Sequence, residues 1–171
     1  MPIRRVNHVV LSVSDIEASA RFYTEVLGLR VAAALPETPT WPAMVFLRSP
    51  HDTTNHHDIG LIENATSAAE DLSAMLRPGL FHVALEVGTL DELEAVRDQL
   101  EAVDAHQVSL DQGMHLSVYG RDPDGISLEI IWRVPEWAEE DEMYRVPLDF
   151  AVARKRWGGQ LPTGAAAGDP A

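Results

Sequence analysis

The chain has 171 residues, a formal net charge of -14 and no cysteine. An acidic protein repels phosphate backbones and anionic membrane surfaces, so neither nucleic acid nor a membrane is expected as a partner. No apolar run is long enough to span a bilayer, and no apolar stretch with a small-residue cleavage site begins the chain. The absence of cysteine excludes disulfide and thiolate chemistry and fits a cytoplasmic protein.

The first predicted element is a strand, HVVLSV at 8–13, and it returns as HVALEV at 82–87. Each copy precedes a stretch with helical apolar period. The first of these stretches starts near Ser14 with capping-box spacing and stops at Gly28. The recurrence predicts two related modules.

Three strand-like runs follow each helix, separated by turns rich in Pro, Gly and Asp. This order predicts an α+β fold in which two βαβββ modules form a paired, cup-like β-sheet with flanking helices. The runs lie at about 29–33, 43–48 and 57–63 in the first half, and at 106–110, 114–120 and 126–132 in the second.

Composition shifts indicate where the modules end. The stretch after the first module is a linker that could include a short helix, and the small, polar C-terminus is typical of a disordered tail. The expected boundaries are 1–132 for a single domain, with modules at about 3–63 and 80–132 and a linker at 64–79, then 133–157 for a C-terminal extension and 158–171 for the tail.

A candidate metal site follows from the alternation of side chains along strands. His8 and His82 occupy equivalent places on the faces away from the helices, and Glu129 is a carboxylate in an apolar strand, costly to bury without a cation or donor. A single histidine on a strand is more often structural than a ligand, but the equivalence and the carboxylate together favour a metal. Two histidines and one carboxylate leave positions open, as in non-haem Fe(II) oxygenases.

Three stretches resemble the vicinal oxygen chelate superfamily. NHVVLSVSDIEASARFYTEVLGL looks like its first strand and helix, FHVALEV like the start of its second module, and YGRDPDGISLEI like its last hairpin. The resemblance covers roughly 3–132 and implies a metal at His8, His82 and Glu129. The superfamily includes glyoxalase I, antibiotic-resistance proteins, methylmalonyl-CoA epimerase and extradiol dioxygenases, so the fold does not determine the reaction.

One further stretch, HDIGL at 57–61, resembles a strand of catechol 2,3-dioxygenase-like enzymes. This resemblance implies that His57 acts as an acid–base group toward substrate and oxygen without binding the metal. It also implies that Tyr119 hydrogen-bonds a substrate oxygen.

The likeness fails at Gln112, where those enzymes often have a histidine in an Asp-His-Gly sequence. Glutamine can hydrogen-bond a substrate but cannot exchange a proton near neutral pH. His115 has the parity of Tyr119 and could reach the pocket instead. The departure is compatible with an aromatic substrate other than catechol itself.

Glyoxalase-type enzymes usually carry a fourth ligand, a glutamate, on the last strand of the first module. The resemblance puts that place near Gly60, and Glu63 nearby has the opposite parity. The missing ligand favours an open three-ligand site. It argues against a lactoylglutathione lyase and, less firmly, against an epimerase.

Other aromatic and histidine side chains have weaker indications. Trp41 and Phe46 are candidates to line the substrate pocket, although surface or core packing explains each equally well or better. Strand alternation predicts that the side chain of His56 faces away from that of His57. No role is assigned to the remaining histidines, His51, His56 and His106.

The sequence hypothesis is therefore an extradiol-type dioxygenase with Fe(II), or Mn(II) or another divalent metal, acting on a small aromatic diol and O2. A homodimer is expected because such families commonly form one. Two alternatives stay open: an oxygen-independent metalloenzyme of the same fold, of the glyoxalase, epimerase or thiol transferase type, and a metal-free small-molecule binding or resistance protein.

Overall fold

A computed structural model of the chain describes residues 6–39, 42–51, 56–64, 80–135 and 144–164. The chain forms two compact units, which divide between Met75 and Leu76, inside the predicted linker. The Asp122–Gly125 turn belongs to the first unit, although the sequence places it in the second module. The helix predicted in the linker lies outside the described residues, and within them no helix is long and apolar enough to cross a membrane.

The first unit is a four-stranded sheet with a helix inserted after its first strand. The strand order is β1-β4-β3-β2, with β1 parallel to β4 and the other pairs antiparallel. Its elements are β1 (Val9–Val13), α1 (Ile16–Arg21, continued by a π-helical turn at Phe22–Val26), β2 (Arg30–Leu35), β3 (Met44–Arg48) and β4 (Ile59–Glu63).

The N-cap of helix α1 lies one residue later than the predicted cap, Ser14. Asp15 is the N-cap and accepts a hydrogen bond from the Ala18 backbone N–H at 2.8 Å. The backbone N–H of Ser14 instead donates to the Asp124 carboxylate, at 3.0 Å and 3.1 Å to its two oxygens. The positive end of the helix dipole also stabilises a carboxylate at the start of a helix. Gly28 ends the helical segment with a φ of 73°, as predicted.

A buried tyrosine joins α1 to the Asp122–Gly125 turn. Tyr23 is fully buried, and its hydroxyl donates to Asp122 Oδ2 at 3.1 Å. Burial, together with the charge of Asp122, raises the pKa of Tyr23 far above its ordinary value. This contact is internal to the first unit and holds the turn against the helix.

The second unit repeats the pattern of the first, so the predicted α+β class with two βαβββ modules is confirmed. Its strand order is β5-β8-β7-β6-β9, with β5 parallel to β8. Thr89 and Glu92 form a complete capping box at the start of α2. The elements are β5 (Val83–Glu86), α2 (Leu90–Ala102), β6 (His106–Asp111), β7 (His115–Arg121), β8 (Ser127–Arg133), β9 (Val146–Pro147) and α3 (Phe150–Trp157).

The C-terminal extension adds an edge strand and a helix to the second unit. Strand β9 pairs with β6, and Arg154 of α3 forms ion pairs with Asp91 and Glu94 of α2. Two residues of the stretch predicted as a tail, Leu161 and Thr163, accept hydrogen bonds from residues of β8. The buried indole of Trp132 needs an acceptor for its N–H, and the Leu161 carbonyl supplies it at 3.1 Å.

Candidate metal centre

Glu129 lies in the middle of β8, in register with Ala84 of β5 and Tyr119 of β7. Its side chain is 7% exposed. Oε1 accepts three hydrogen bonds, from Tyr119 Oη at 2.6 Å, from Ser117 Oγ at 2.9 Å and from His115 Nε2 at 3.2 Å. All three donors come from alternate positions of β7, which share one face of the sheet.

These donors keep the carboxylate ionised. Burial alone would raise the pKa of Glu129, but the hydrogen bonds from His115, Tyr119 and Ser117 outweigh that effect and lower the pKa to about 2. One oxygen is therefore saturated with donors, while the group as a whole keeps its negative charge at neutral pH. An ionised buried carboxylate with its second oxygen available is a suitable ligand for a divalent cation.

The second oxygen of Glu129 faces His82, which directly precedes β5. His82 Nε2 lies 3.1 Å from Glu129 Oε2. Two adjacent ligand atoms, each about 2.1 Å from one metal, lie roughly 3.0 to 3.4 Å apart. His82 Nδ1 is buried and has no hydrogen-bond partner within the described residues. The pair thus fits two neighbouring positions of a metal site.

Gln112 and Tyr119 are hydrogen-bonded to each other. Gln112 Nε2 donates to Tyr119 Oη at 2.9 Å, so the hydroxyl hydrogen of Tyr119 is directed to Glu129. Burial, and next the hydrogen bond to Glu129, raises the pKa of Tyr119 to about 12. The structure therefore places these two side chains, together with His115, around the carboxylate.

In the first unit, His8 directly precedes β1 as His82 precedes β5. Its Nδ1 lies 2.8 Å from Asn7 Oδ1. An amide oxygen only accepts, so the hydrogen must be on Nδ1 and the lone pair of a neutral ring is on Nε2. Metal-binding histidines commonly have this arrangement, with one nitrogen donating to a neighbour and the other free for the metal.

His57 packs between two aromatic rings. Its ring centroid lies 4.5 Å from that of His8 and 4.7 Å from that of Phe46. Its Nδ1 is 3.0 Å from Nδ1 of His56, and its Nε2 is buried without a hydrogen-bond partner in the described chain. Burial, and then the charges of His8 and His56, lowers the pKa of His57 below 6.5. This shift of the pKa favours the neutral form of the ring.

Each unit brings together part of the predicted site. The first gathers His8, His57 and Phe46, and the second gathers the remaining described candidates around Glu129. Trp41 lies outside the described residues. Among the residues that the structure describes, no three His, Asp or Glu side chains form a ready metal cluster. Within the second unit, the described residues that fit neighbouring metal-binding positions are His82 and Glu129.

Sequence reasoning missed three side chains that contact candidate site residues. Ser117 had a usable indication, because it shares its face of β7 with Tyr119. Asn7 had none, since nothing in the pattern distinguishes an asparagine before a strand from a solvated one. His56 was assigned no role because strand alternation was applied to it, but β4 starts only at Ile59.

The comparison with known protein families decides the family. The sequence model of the glyoxalase/bleomycin resistance protein/dioxygenase superfamily matches residues 5–130. The chain belongs to this superfamily.

Relatives within the superfamily differ in their chemistry. The chain is 28% identical over 136 residues to a 3-methylcatechol 2,3-dioxygenase of Pseudomonas putida, covering 77% of this chain but only 43% of that one. It is 30% identical over 104 residues to an ethylmalonyl-CoA/methylmalonyl-CoA epimerase of Cereibacter sphaeroides, covering 60% of this chain and 73% of the relative. The chain thus spans less than half the length of the dioxygenase.

A solved structure shares the fold. The glyoxylase/bleomycin resistance protein/dioxygenase domain from Frankia sp. EAN1pec superposes with a TM-score of 0.65 at 24% identity, covering 80% of this chain and 96% of that one. At this identity the likeness supports the superfamily fold alone.

Strand register identifies which residue of the first unit corresponds to Glu129 of the second. Val10 pairs with Gly60 in the first unit as Ala84 pairs with Glu129 in the second. A Cβ added at Gly60 would lie 3.2 Å from Val10 Cγ2 and 3.6 Å from Phe46 Cδ1. Hydrocarbon therefore surrounds the position where a glyoxalase-type fourth ligand is expected.

Glu63 does not replace the missing ligand. Its Oε1 accepts a hydrogen bond from the Ile16 backbone N–H at 3.3 Å, at the start of α1. The carboxylate thus lies on the helix side of the first sheet, which agrees with its parity. Around Gly60, the described residues supply no acidic ligand.

Proposed function

We propose that the chain is a non-haem extradiol-type dioxygenase that acts on a catecholic or related aromatic diol, with Fe(II) held by His8, His82 and Glu129. One observation carries the proposal: the two oxygens of Glu129 have different surroundings. Oε1 accepts three hydrogen bonds, and Oε2 faces His82 Nε2 at 3.1 Å. A carboxylate with only a packing role would not need three donors on one oxygen and a histidine nitrogen facing the other.

The third ligand of the proposal is His8. It has the same position relative to β1 as His82 has relative to β5, and its hydrogen bond to Asn7 leaves Nε2 able to bind a cation. Its assignment rests on this equivalence and on the state of the ring. Two nitrogens and one oxygen suit Fe(II), and they also suit Mn(II).

When bound, a divalent metal supplies a Lewis acid that lowers the pKa of a diol hydroxyl, and Fe(II) adds a redox couple for oxygen. The protein's own proton acceptor in this proposal is His57. Its Nε2 is buried without a partner among the described residues, beside His8. A neutral imidazole can take a hydroxyl proton and return it later.

Tyr119 and His115 orient the carboxylate in this proposal. Tyr119 Oη also lies within reach of Gln112 and Glu129 at once. A substrate oxygen that approached Tyr119 would compete for its hydrogen with Glu129. The predicted contact between Tyr119 and substrate therefore requires that this hydrogen bond be exchanged.

The epimerase relative makes an oxygen-independent metalloenzyme the second candidate. The surroundings of Gly60 favour the dioxygenase, because the position of the fourth ligand carries no carboxylate and the side-chain atoms nearest to it belong to Val10 and Phe46. The two candidates differ in one measurable respect, which is the consumption of O2.

The test is oxygen uptake by protein loaded anaerobically with Fe(II) and then mixed with catechols and polycyclic diols. We expect uptake that requires the metal, together with a yellow ring-cleavage product. The Zn(II)-loaded protein is the control, because the same ligands hold a metal without a redox couple. One Fe(II) per chain with no uptake across the panel would contradict the proposal, and absence of metal binding would contradict the site.

A further inference from the structure

His56 and His57 meet through their ring nitrogens. The two Nδ1 atoms are 3.0 Å apart, and the rings are nearly perpendicular, at 88°. Two nitrogens at this distance share one hydrogen, so one donates and the other accepts. In a neutral imidazole, hydrogen on Nδ1 leaves the lone pair on Nε2, and hydrogen on Nε2 leaves it on Nδ1. The partner of Nδ1 therefore decides the tautomer of His57.

No other described group competes for this role. Nε2 of His57 is buried and has no hydrogen-bond partner among the described residues. The rings of His8 and Phe46 contact His57 without accepting a hydrogen from either nitrogen in the plane. Phe46 also touches His56, edge to face, at 6.4 Å between centroids. Phe46 thus contacts both imidazoles of the pair.

We propose that His56 is a positioning residue: its Nδ1 accepts the Nδ1 hydrogen of His57 and keeps the lone pair of His57 on Nε2. This inference rests on the proposed function only in the use that His57 makes of that lone pair. A nitrogen that takes a proton from a substrate hydroxyl must be unprotonated before it acts. His56 is exposed, so its own single ring hydrogen, on Nε2, can be directed to water.

The first arm of the test reads the tautomer directly and needs no substrate. Ring nitrogen chemical shifts of His57 are measured at neutral pH on 15N-histidine-labelled, metal-free protein. We expect hydrogen on Nδ1 in the wild type and in His56→Asp, where a carboxylate oxygen accepts in place of Nδ1. In His56→Phe, which keeps a ring against Phe46 but has no acceptor, we expect a shift toward hydrogen on Nε2.

The second arm measures turnover by the Fe(II)-loaded protein. We expect His56→Phe to lower kcat on the order of 10-fold with little change in KM, and His56→Asp to restore most of the loss. His51→Phe removes an exposed imidazole from the same region and should leave kcat unchanged.

The two arms separate this inference from the proposed function. Hydrogen on Nε2 of His57 in the wild type, or an unchanged tautomer in His56→Phe, would overturn the inference. A tautomer that follows position 56 in a protein without diol turnover would support the inference and contradict the proposed function.

Discussion

Tyr119 Oη lies 2.6 Å from Glu129 Oε1, the shortest of the three hydrogen bonds that this oxygen accepts. The hydrogen of Tyr119 is directed to Glu129 and not to Gln112, because Gln112 donates to the same hydroxyl. The direction of the bond is thus set from both ends. One oxygen of Glu129 is therefore occupied by three donors, and the carboxylate is held in a fixed orientation.

Removing this hydroxyl should raise the pKa of Glu129. In Tyr119→Phe the carboxylate loses one of the donors that lower its pKa to about 2. A hydrogen bond to a charged group contributes roughly 1.5–3 kcal/mol, so a rise of about one to two pKa units is expected. Carbon-13 NMR titration of the glutamate carboxyl would measure it. An unchanged pKa would show that Ser117 and His115 suffice.

Replacing Glu129 by glutamine should abolish tight metal binding. The amide has no charge, so we expect affinity for Fe(II) or Mn(II) to fall at least about 100-fold, and activity with it. Calorimetric titration and metal analysis of the dialysed protein would test this. Glu101→Gln, on an exposed part of α2, is the control. Full metal content in Glu129→Gln would disprove the ligand assignment.

Asn7 should affect metal affinity through His8. Asn7→Val removes the acceptor of the Nδ1 hydrogen at 2.8 Å, and such losses typically weaken binding 10- to 100-fold. Asn7→Asp keeps an acceptor and should retain or strengthen binding. Equal affinities for the two variants would show that the hydrogen bond does not orient the metal-binding nitrogen.

The metal-free protein should lose stability in acid because of Glu129. Its pKa is lower in the folded protein, about 2 against an ordinary 4.5. Ionisation therefore favours folding above pH 4.5, and this contribution, about 3 kcal/mol at most, is lost as the pH falls from 4.5 toward 2. Urea unfolding at several pH values would measure it. If Glu129→Gln shows the same acid-induced loss as the wild type, other groups cause it.

Tyr23→Phe should destabilise the fold without touching the candidate site. It removes the hydroxyl that donates to Asp122 in a buried position, at a cost of about 1–3 kcal/mol. Tyr144→Phe is the matched control, because Tyr144 is exposed and donates to Asp111 at 3.2 Å. That change should cost less than about 0.5 kcal/mol. Equal losses in chemical denaturation would contradict the argument.

Side-chain periodicity predicted much of the fold and part of the site. His8 and His82 were identified because a repeated strand puts them at equivalent positions, and Glu129 because a carboxylate between apolar neighbours requires partners. Periodicity does not predict which hydrogen-bond partner a side-chain atom has. Tyr119 and Gln112 are predicted to contact substrate, and the distances add that Gln112 donates to Tyr119 and Tyr119 donates to Glu129.

Other differences arose where local chemistry competes with a pattern. Asp15 caps α1 instead of Ser14 because the Ser14 backbone donates to Asp124, a partner more than 100 positions away in sequence. The contact between His56 and His57 was not predicted, because side-chain alternation holds only inside a strand and β4 starts at Ile59. Residues 158–164 have the composition of a tail, but Trp132 provides a donor that orders Leu161.

The close contact between position 60 and Val10 affects how this chain could acquire a fourth ligand. A Cβ at this position would require Val10 to shift by a few tenths of an ångström, since Val10 Cγ2 lies 3.2 Å away, whereas Phe46 at 3.6 Å is at ordinary contact distance. The cost of placing a glutamate there therefore depends on how far the half-exposed Val10 side chain can move. We expect that cost to change with the residue at position 10, which pairs with position 60 across β1 and β4, so the effects of mutations at the two positions should not be additive.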